Sequence, residues 1–288
     1  MKTTSADQVP MFRTAVAAID LSPVQDAMVG CMGDLLHWGI DRLVLVHVLR
    51  VGYGQRPGDR ALQDIRDSLE AQTVPLRQAG LSVEVTIRTA RGVADEFLEA
   101  AADAKADLLV VGSRSHNLTS GLFLGSVARA VIRKTRVPLL LQWIEPDTGG
   151  GAEAVCVETL RHVLLATDLS KHAQGAERTA VALAPRAGRI DCASVLTPQA
   201  IDATPALPVM ARAALDDLSG RIAKAGGRGE VILVEGDPKE SLARIARERG
   251  CSLIIVGKHG QGWVESMVIG STAASVCETA GRPVLLVP

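Results

Sequence analysis

Residues 252–260 read SLIIVGKHG, and residues 107–115 read DLLVVGSRS. Each is a short apolar run that closes on a glycine and a polar loop, the pattern of a buried strand. The two runs lie 145 residues apart, and working outward the same spacing recurs. Gly125-Ser126 returns as Gly270-Ser271, and Pro138 returns as Pro283, each proline opening an apolar stretch, PLLLQW or PVLLVP. Upstream, AAIDLSP around Asp20 returns as LATDLSK around Asp168, 148 residues later. Self-similarity at a nearly constant spacing marks two copies of one unit. The units are expected over residues 1–146 and 155–288. The linker is expected over residues 145–154, which contain Pro146 and three glycines at 149–151.

Within the first copy, strands are expected at residues 14–19, 43–49, 82–88, 108–112 and 138–143. Between the first two, Val24, Ala27, Met28, Cys31, Met32, Leu35 and Leu36 fall on one face of a helix. Ser22 suits its N-cap, Pro23 its first turn, and Gly39 its end. In the second copy Ser170 is the matching cap, and Asp237-Pro238 with Glu240 reads as a capping box for a later helix. Continuously apolar strands alternating with helices imply a parallel sheet covered on both faces. The fold class is therefore α/β, with two tandem doubly wound domains. Ligands of such sheets bind beyond the carboxyl ends of the strands.

Composition excludes several classes. The chain has 288 residues with 31 basic and 32 acidic side chains, a net charge of -1. That balance carries no footprint for nucleic acid or an anionic membrane surface. No apolar run reaches the roughly 18 residues of a membrane span, and residues 11–19 have the wrong length and flanks for a signal peptide. A cytoplasmic location is expected. Cys31, Cys156, Cys192, Cys251 and Cys277 form no CxxC pair, and the six histidines are scattered. The cysteines are expected to be buried free thiols in a reducing compartment, and no side-chain metal site is expected.

The chemistry lies in Gly257-x-x-Gly260, nine residues, then Gly270-Ser271. The first part follows a buried strand and the second opens a helix over residues 271–278. A glycine loop lets backbone N–H groups approach an anion, and a helix N-terminus adds free N–H groups and a positive dipole end. The Ser271 hydroxyl can donate as well. No GxxxxGK[ST] occurs, and no GxGxxG follows either first strand, so neither a Walker loop nor a dinucleotide fingerprint is present. Gly52-x-Gly54 reads as loop punctuation.

The pattern G-2x-G-9x-G-[ST], a first strand ending in Asp and a second ending in His47-Val48 together resemble universal stress proteins. The resemblance covers both halves. It implies five-stranded, mostly parallel sheets of the adenine-nucleotide α-hydrolase-like group, related by a pseudo-two-fold, and an ATP site in each domain. In copy two it assigns Ala166, Asp168 and Val195 to the adenosine end, and Gly257, Lys258, His259, Gly260, Gly270, Ser271 and Thr272 to ribose and phosphates. In copy one the matching positions are Ala18, Asp20, Val48, Gly112, Ser113, Arg114, Ser115, Gly125, Ser126 and Val127. Ser115 replaces the second glycine. If that position needs a positive φ, serine costs about 1 kcal/mol there, which ranks copy two as the stronger site. Arg114 is placed to offset part of the loss. Lys258 can add charge to the phosphate contact or be a solvated loop lysine, and His259 reads as loop structure. Asp20 and Asp168 either touch ligand or hold loop backbone.

The resemblance implies an adenine nucleotide (ATP, ADP or AMP) as ligand, with Mg²⁺ arriving on the phosphates, and a regulatory role in stress response. No Walker-B carboxylate or arginine finger is evident, so hydrolysis is expected to be slow at most. Enzymes of the adenylating or ATP-pyrophosphatase type carry SGGxDS after the first strand, where this chain has AIDLSP and ATDLSK. A third reading is an interaction module that has lost its ligand, which Ser115 keeps open for copy one. By the same resemblance the two copies pair through their last strands inside one chain. A homodimer of chains is left undecided, with Gln142-Trp143 read either as interface or as core.

Overall fold

A computed structural model describes residues 11–21, 25–52, 57–113, 124–146, 152–155, 158–261 and 268–288. In the first repeat β1 (Thr14–Ile19), β2 (Arg42–Arg50), β3 (Ser82–Ala90), β4 (Leu108–Gly112) and β5 (Leu139–Pro146) alternate with α1 (Gln25–Gly30), α2 (Asp59–Gln78), α3 (Val93–Asp103) and α4 (Ser126–Lys134). A short β6 (Ala152–Val155) follows. The second repeat runs β7 (Val163–Ala166), α5 (Gln174–Leu183), β8 (Ile190–Leu196), α6 (Pro198–Ala203), α7 (Leu207–Lys224), β9 (Val231–Glu235), α8 (Pro238–Glu248), β10 (Leu253–Gly257), α9 (Ser271–Thr279) and β11 (Val284–Val287).

The strands lie in the order β3-β2-β1-β4-β5-β11-β10-β7-β8-β9. Within each repeat the five strands on this path form four neighbouring pairs, all parallel. β11 meets β5 antiparallel, with Leu285 opposite Leu140. One sheet thus runs through both repeats. Successive strand residues point to opposite faces, and the core divides accordingly. Ala15, Ala17, Leu43 and Leu45 join one apolar cluster with Leu69 of α2, Leu183 of α5 and Leu218 of α7. Val16, Val44 and Val46 join the other with Phe97 of α3, Val131 of α4, Ile245 of α8 and Val276 of α9. Helices cover both faces, which explains why central strands such as β1 and β4 show no polar alternation.

The repeats solve one problem with different residues. Asp107, before β4, accepts from the backbone N–H groups of Arg13 (2.9 Å) and Thr14 (3.0 Å) at the start of β1. Ser252, at the matching place before β10, accepts from His162 N (2.9 Å) beside β7.

Several expectations are corrected. The single helix expected after β1 breaks at Cys31 into a 3₁₀ stretch, Cys31–Trp38. Gly30 and Gly33 weaken the α form, and the stretch is tied to the second repeat. Thr159 donates to Asp34 Oδ2 through its backbone N (3.1 Å) and its hydroxyl, and accepts from Trp38 Nε1 (2.9 Å). Gly39 does end the segment, at φ 89°, a conformation glycine takes without a Cβ penalty. Ser22, Pro23 and Val24 lie outside the described residues. Ser170 does not cap α5 directly; its hydroxyl accepts from Ala173 N (3.3 Å) one turn earlier. Asp237 does cap α8, accepting from Lys239 N (2.8 Å). The ends of the expected linker are strand, because β5 and β6 pair antiparallel with Trp143 opposite Val155. Trp143 itself is buried and donates Nε1 to Glu145 (3.0 Å).

Cys192, Cys251 and Cys277 are buried free thiols, as expected. Burial pushes their pKa values up to about 12, 11 and 12, so they are inert. Cys31 departs from the expectation: it is disulfide-bonded, and Cys156 lies outside the described residues. Spacing alone could not reveal a bond between cysteines distant in sequence. Among the described residues no helix is long and apolar enough to cross a membrane.

Candidate functional site

The carboxyl ends of β7, β8 and β10 open into a cleft of about 540 Å³ in the second repeat. Its floor begins where β7 gives way to Thr167-Asp168-Leu169. The Thr167 hydroxyl donates to the buried carboxylate of Glu177 (2.8 Å) and accepts from Leu169 N (3.0 Å). Leu169 is left-handed, at φ 60°. Its counterpart Leu21, after Asp20, adopts φ 58°. The same turn is therefore built twice at a conformational cost of about 1 kcal/mol each.

Asp168 holds this turn against the glycine loop. Oδ1 accepts from Ser170 N (3.0 Å) and Oδ2 from Gln261 N (2.5 Å). Of the two expected roles, the one holding loop backbone is realised, and the side chain also lines the cleft. Gly260 sits against that carboxylate: a Cβ there would lie 2.4 Å from Asp168 Oδ2. Gly260 does not adopt a positive φ. At Gly260 the requirement for glycine is thus close approach and not a positive φ.

The second half of the cradle is α9. Gly270 adopts φ -67°, ψ 146° as its N-cap, donates to Lys258 O (2.8 Å), and no side chain caps the helix. The opening residues Gly270, Ser271 and Thr272 line the cleft with Gly257, His259 and Gly260, while Ala166 and Val195 line it from β7 and β8. Nine of the ten residues expected in the second repeat therefore converge. The tenth, Lys258, does not: it is 6% exposed and its ammonium donates to the carbonyls of Arg133 (2.9 Å) and Thr135 (2.8 Å) in the first repeat. Neither expected reading of Lys258, phosphate contact or solvated loop, is met, because its chain turns toward the neighbouring repeat.

No lysine or arginine lines the cleft among the described residues. His259 is held toward its neutral form, first by burial and then by Lys258 and His172. Among the described residues, what the cleft can offer an anion is therefore backbone N–H groups and the α9 dipole. The sequence reading missed the roof, Leu207, Met210, Ala211 and Ala214 of α7 with Pro238 and Leu242 of α8. The apolar period of α7 was the available signal, but it reads equally as core. Among the described residues no cluster of three His, Cys, Asp or Glu side chains could hold a metal.

In the first repeat the framework matches. Ser113 N donates to Gln142 O (2.8 Å), as Lys258 N does to Val287 O (2.6 Å). Gly125 N donates to Ser113 O (2.8 Å) and caps α4 at φ -65°, ψ 156°, ahead of Ser126. The Ser113 hydroxyl accepts from Ile144 N (3.1 Å). Val48 is buried at the end of β2, preceded by His47, whose Nδ1 donates to Ile19 O (2.8 Å). Ala18 and Val127 pack at the edge of the second core cluster. Gly112 closes β4. Arg114 and Ser115 lie outside the described residues.

A model of the universal stress protein family matches residues 11–141 and again residues 159–288. Universal stress protein YxiE of Bacillus subtilis is 33% identical over 73 residues, 25% of this chain and 49% of that protein. A universal stress protein of Methanocaldococcus jannaschii is 29% identical over 73 residues, 25% of this chain and 45% of that protein. The chain spans about half the length of the curated relatives it matches. A crystal structure of a universal stress protein from Archaeoglobus fulgidus shares the fold at a TM-score of 0.69 and 22% identity, over 95% of both chains. Two matches that together take in both repeats, and the strand order and glycine loops that go with them, mean that this chain belongs to the universal stress protein family.

Proposed function

We propose that the protein binds an adenine nucleotide in the cleft of its second repeat and acts as a nucleotide-responsive regulatory protein of stress response in the cytoplasm. The observation that supports this reading is the convergence of Gly257, Gly260, Gly270 and Ser271 with Ala166 and Val195 around one cleft. The apolar roof suits a base. The uncapped α9 start suits a phosphate. With no lysine or arginine in the lining among the described residues, Mg²⁺ carried by the nucleotide would offset the outer phosphates of ATP. Ligand binding would stabilise one state of the protein by mass action. Among the described residues the one acid in the lining is Asp168, and both its oxygens already accept from loop N–H groups, a role that fixes the loop. Sensing, not turnover, is the function proposed.

In this reading residues 1–146 and 155–288 are the two functional units, paired through β5 and β11 in a pseudo-two-fold arrangement. The second is the stronger site because Ser115 stands where the second has Gly260. Two such chains can associate further as a homodimer.

The test is the nucleotide released from denatured purified protein, followed by ATP titration calorimetry with Gly270→Ala and Gly125→Ala. A methyl at 270 would meet Lys258 O at 3.4 Å and one at 125 would meet Ser113 O at 3.7 Å. Both glycines hold ordinary negative φ, so the fold tolerates alanine and lost binding reports lost room for ligand. Greater loss from Gly270→Ala is expected. Equal loss refutes the ranking, and no bound nucleotide with no heat refutes the function.

A further inference from the structure

We propose that Lys258 is a positioning residue, which fixes the second repeat's glycine loop to the C-terminal turn of α4 and so transmits nucleotide occupancy from the second cleft to the first repeat. The inference rests on the nucleotide reading above and adds its regulation.

Lys258 is the junction of three elements. Its backbone N donates to Val287 O (2.6 Å) at the end of β11, the strand that pairs with β5. Its carbonyl accepts from Gly270 N (2.8 Å), the N-cap of α9. Its ammonium ends on Arg133 O in the last turn of α4 and on Thr135 O at the C-cap. A shift of the loop on ligand binding must therefore move, or be resisted by, the end of α4. The other end of that helix is Gly125-Ser126, the first repeat's own cradle.

The contact is a specific one. The ammonium is almost fully buried, and burial together with nearby Arg136 disfavours its charge. Its hydrogen-bond acceptors are the two carbonyls at the negative end of a helix dipole, which favours a cation there. A surface lysine would gain nothing from this position. Nor does the repeat require it. Ser113 occupies the matching place in the first repeat and bonds within that repeat, to Ile144 N. Among the described residues this link is made once, by Lys258 of the second repeat to α4 of the first, and coupling through it acts on both repeats.

The experiment uses the full chain carrying Gly125→Ala, so that ligand in the first cradle does not act on α4 directly. ATP with Mg²⁺ is titrated by calorimetry, and amide exchange is followed over residues 131–136 with and without it. ATP is expected to slow exchange in that turn. Lys258→Met is expected to abolish the slowing and to weaken ATP binding by about fivefold or more, the lower range of coupling between linked sites. A purely structural lysine would raise exchange equally with and without ATP. If Lys258→Met does not fold, Lys258→Gln keeps a neutral donor, and the parent chain alone decides. ATP binding without slower exchange in that turn overturns the coupling and leaves the nucleotide reading intact. No heat from the parent chain overturns both.

Discussion

Replacing Gly260 by alanine tests what the second glycine of the loop is for. The residue has no positive φ, so alanine carries no backbone penalty. The added Cβ would instead lie 2.4 Å from Asp168 Oδ2. To reach van der Waals separation the carboxylate must retreat by on the order of 1 Å. It cannot do so and keep its bonds to Ser170 N at 3.0 Å and Gln261 N at 2.5 Å. A hydrogen bond to a charged group contributes about 1.5 to 3 kcal/mol, so losing one displaces the loop at a cost of roughly ten- to a hundredfold in affinity. ATP titration calorimetry of Gly260→Ala, Asp168→Ala and the double variant isolates the clash as a double-mutant cycle. Each single variant is expected to bind weakly. The double variant is expected to bind no more weakly than Asp168→Ala, because the carboxylate that alanine would strike is gone. Additive losses, or unchanged affinity in Gly260→Ala, would refute the reasoning and return the glycine to a conformational role.

Other expectations follow from the same geometry. Asp191 is fully buried, which opposes its charge, yet Arg189, His162, Glu230 N and Arg249 outweigh that and hold its pKa at about 2 against 3.8. The stabilisation is present above about pH 4 and drains as pH falls toward 2. Asp191→Asn should therefore lose about 2 kcal/mol at pH 7, less as pH falls, by urea melts; a loss equal at pH 7 and pH 2.5 would show that the charge contributes nothing. In denaturant without reductant a thiol reagent should label Cys192, Cys251 and Cys277 but not Cys31, read by peptide mapping; labelling of Cys31 without reductant would mean that its bond does not form in solution. ATP turnover should stay far below the roughly 1 s⁻¹ of a slow ordinary enzyme, measured as phosphate release; a rate at that level would reinstate the enzyme reading.

What the sequence made legible is what local patterning controls. Strands buried on both faces are continuously apolar, so β1 and β4 fall where residues 14–19 and 108–112 were expected. The cradle was legible because glycine beside a strand end and glycine before a helix have few other uses. What stayed illegible depends on partners distant in the chain. The helix after β1 was periodic enough to read as one piece, but Thr159, more than a hundred residues on, holds its second half as 3₁₀. Strand β5 runs past residue 143 because β6 turns back to pair with it. The roof of the cleft comes from α7, whose apolar face looks like any core face until the fold sets it above Val195. Lys258 is the sharpest case. A flexible side chain beside a glycine loop can turn toward the cleft or away, and only the position of α4 decides. The asymmetry of the repeats was sought at Ser115, in backbone conformation. It lies at least equally at Ser113 and Lys258, where one residue bonds within its own repeat and the other crosses into its neighbour. Two copies of nearly the same motif are therefore inequivalent by contact, and the coupling proposed above rests on that inequivalence.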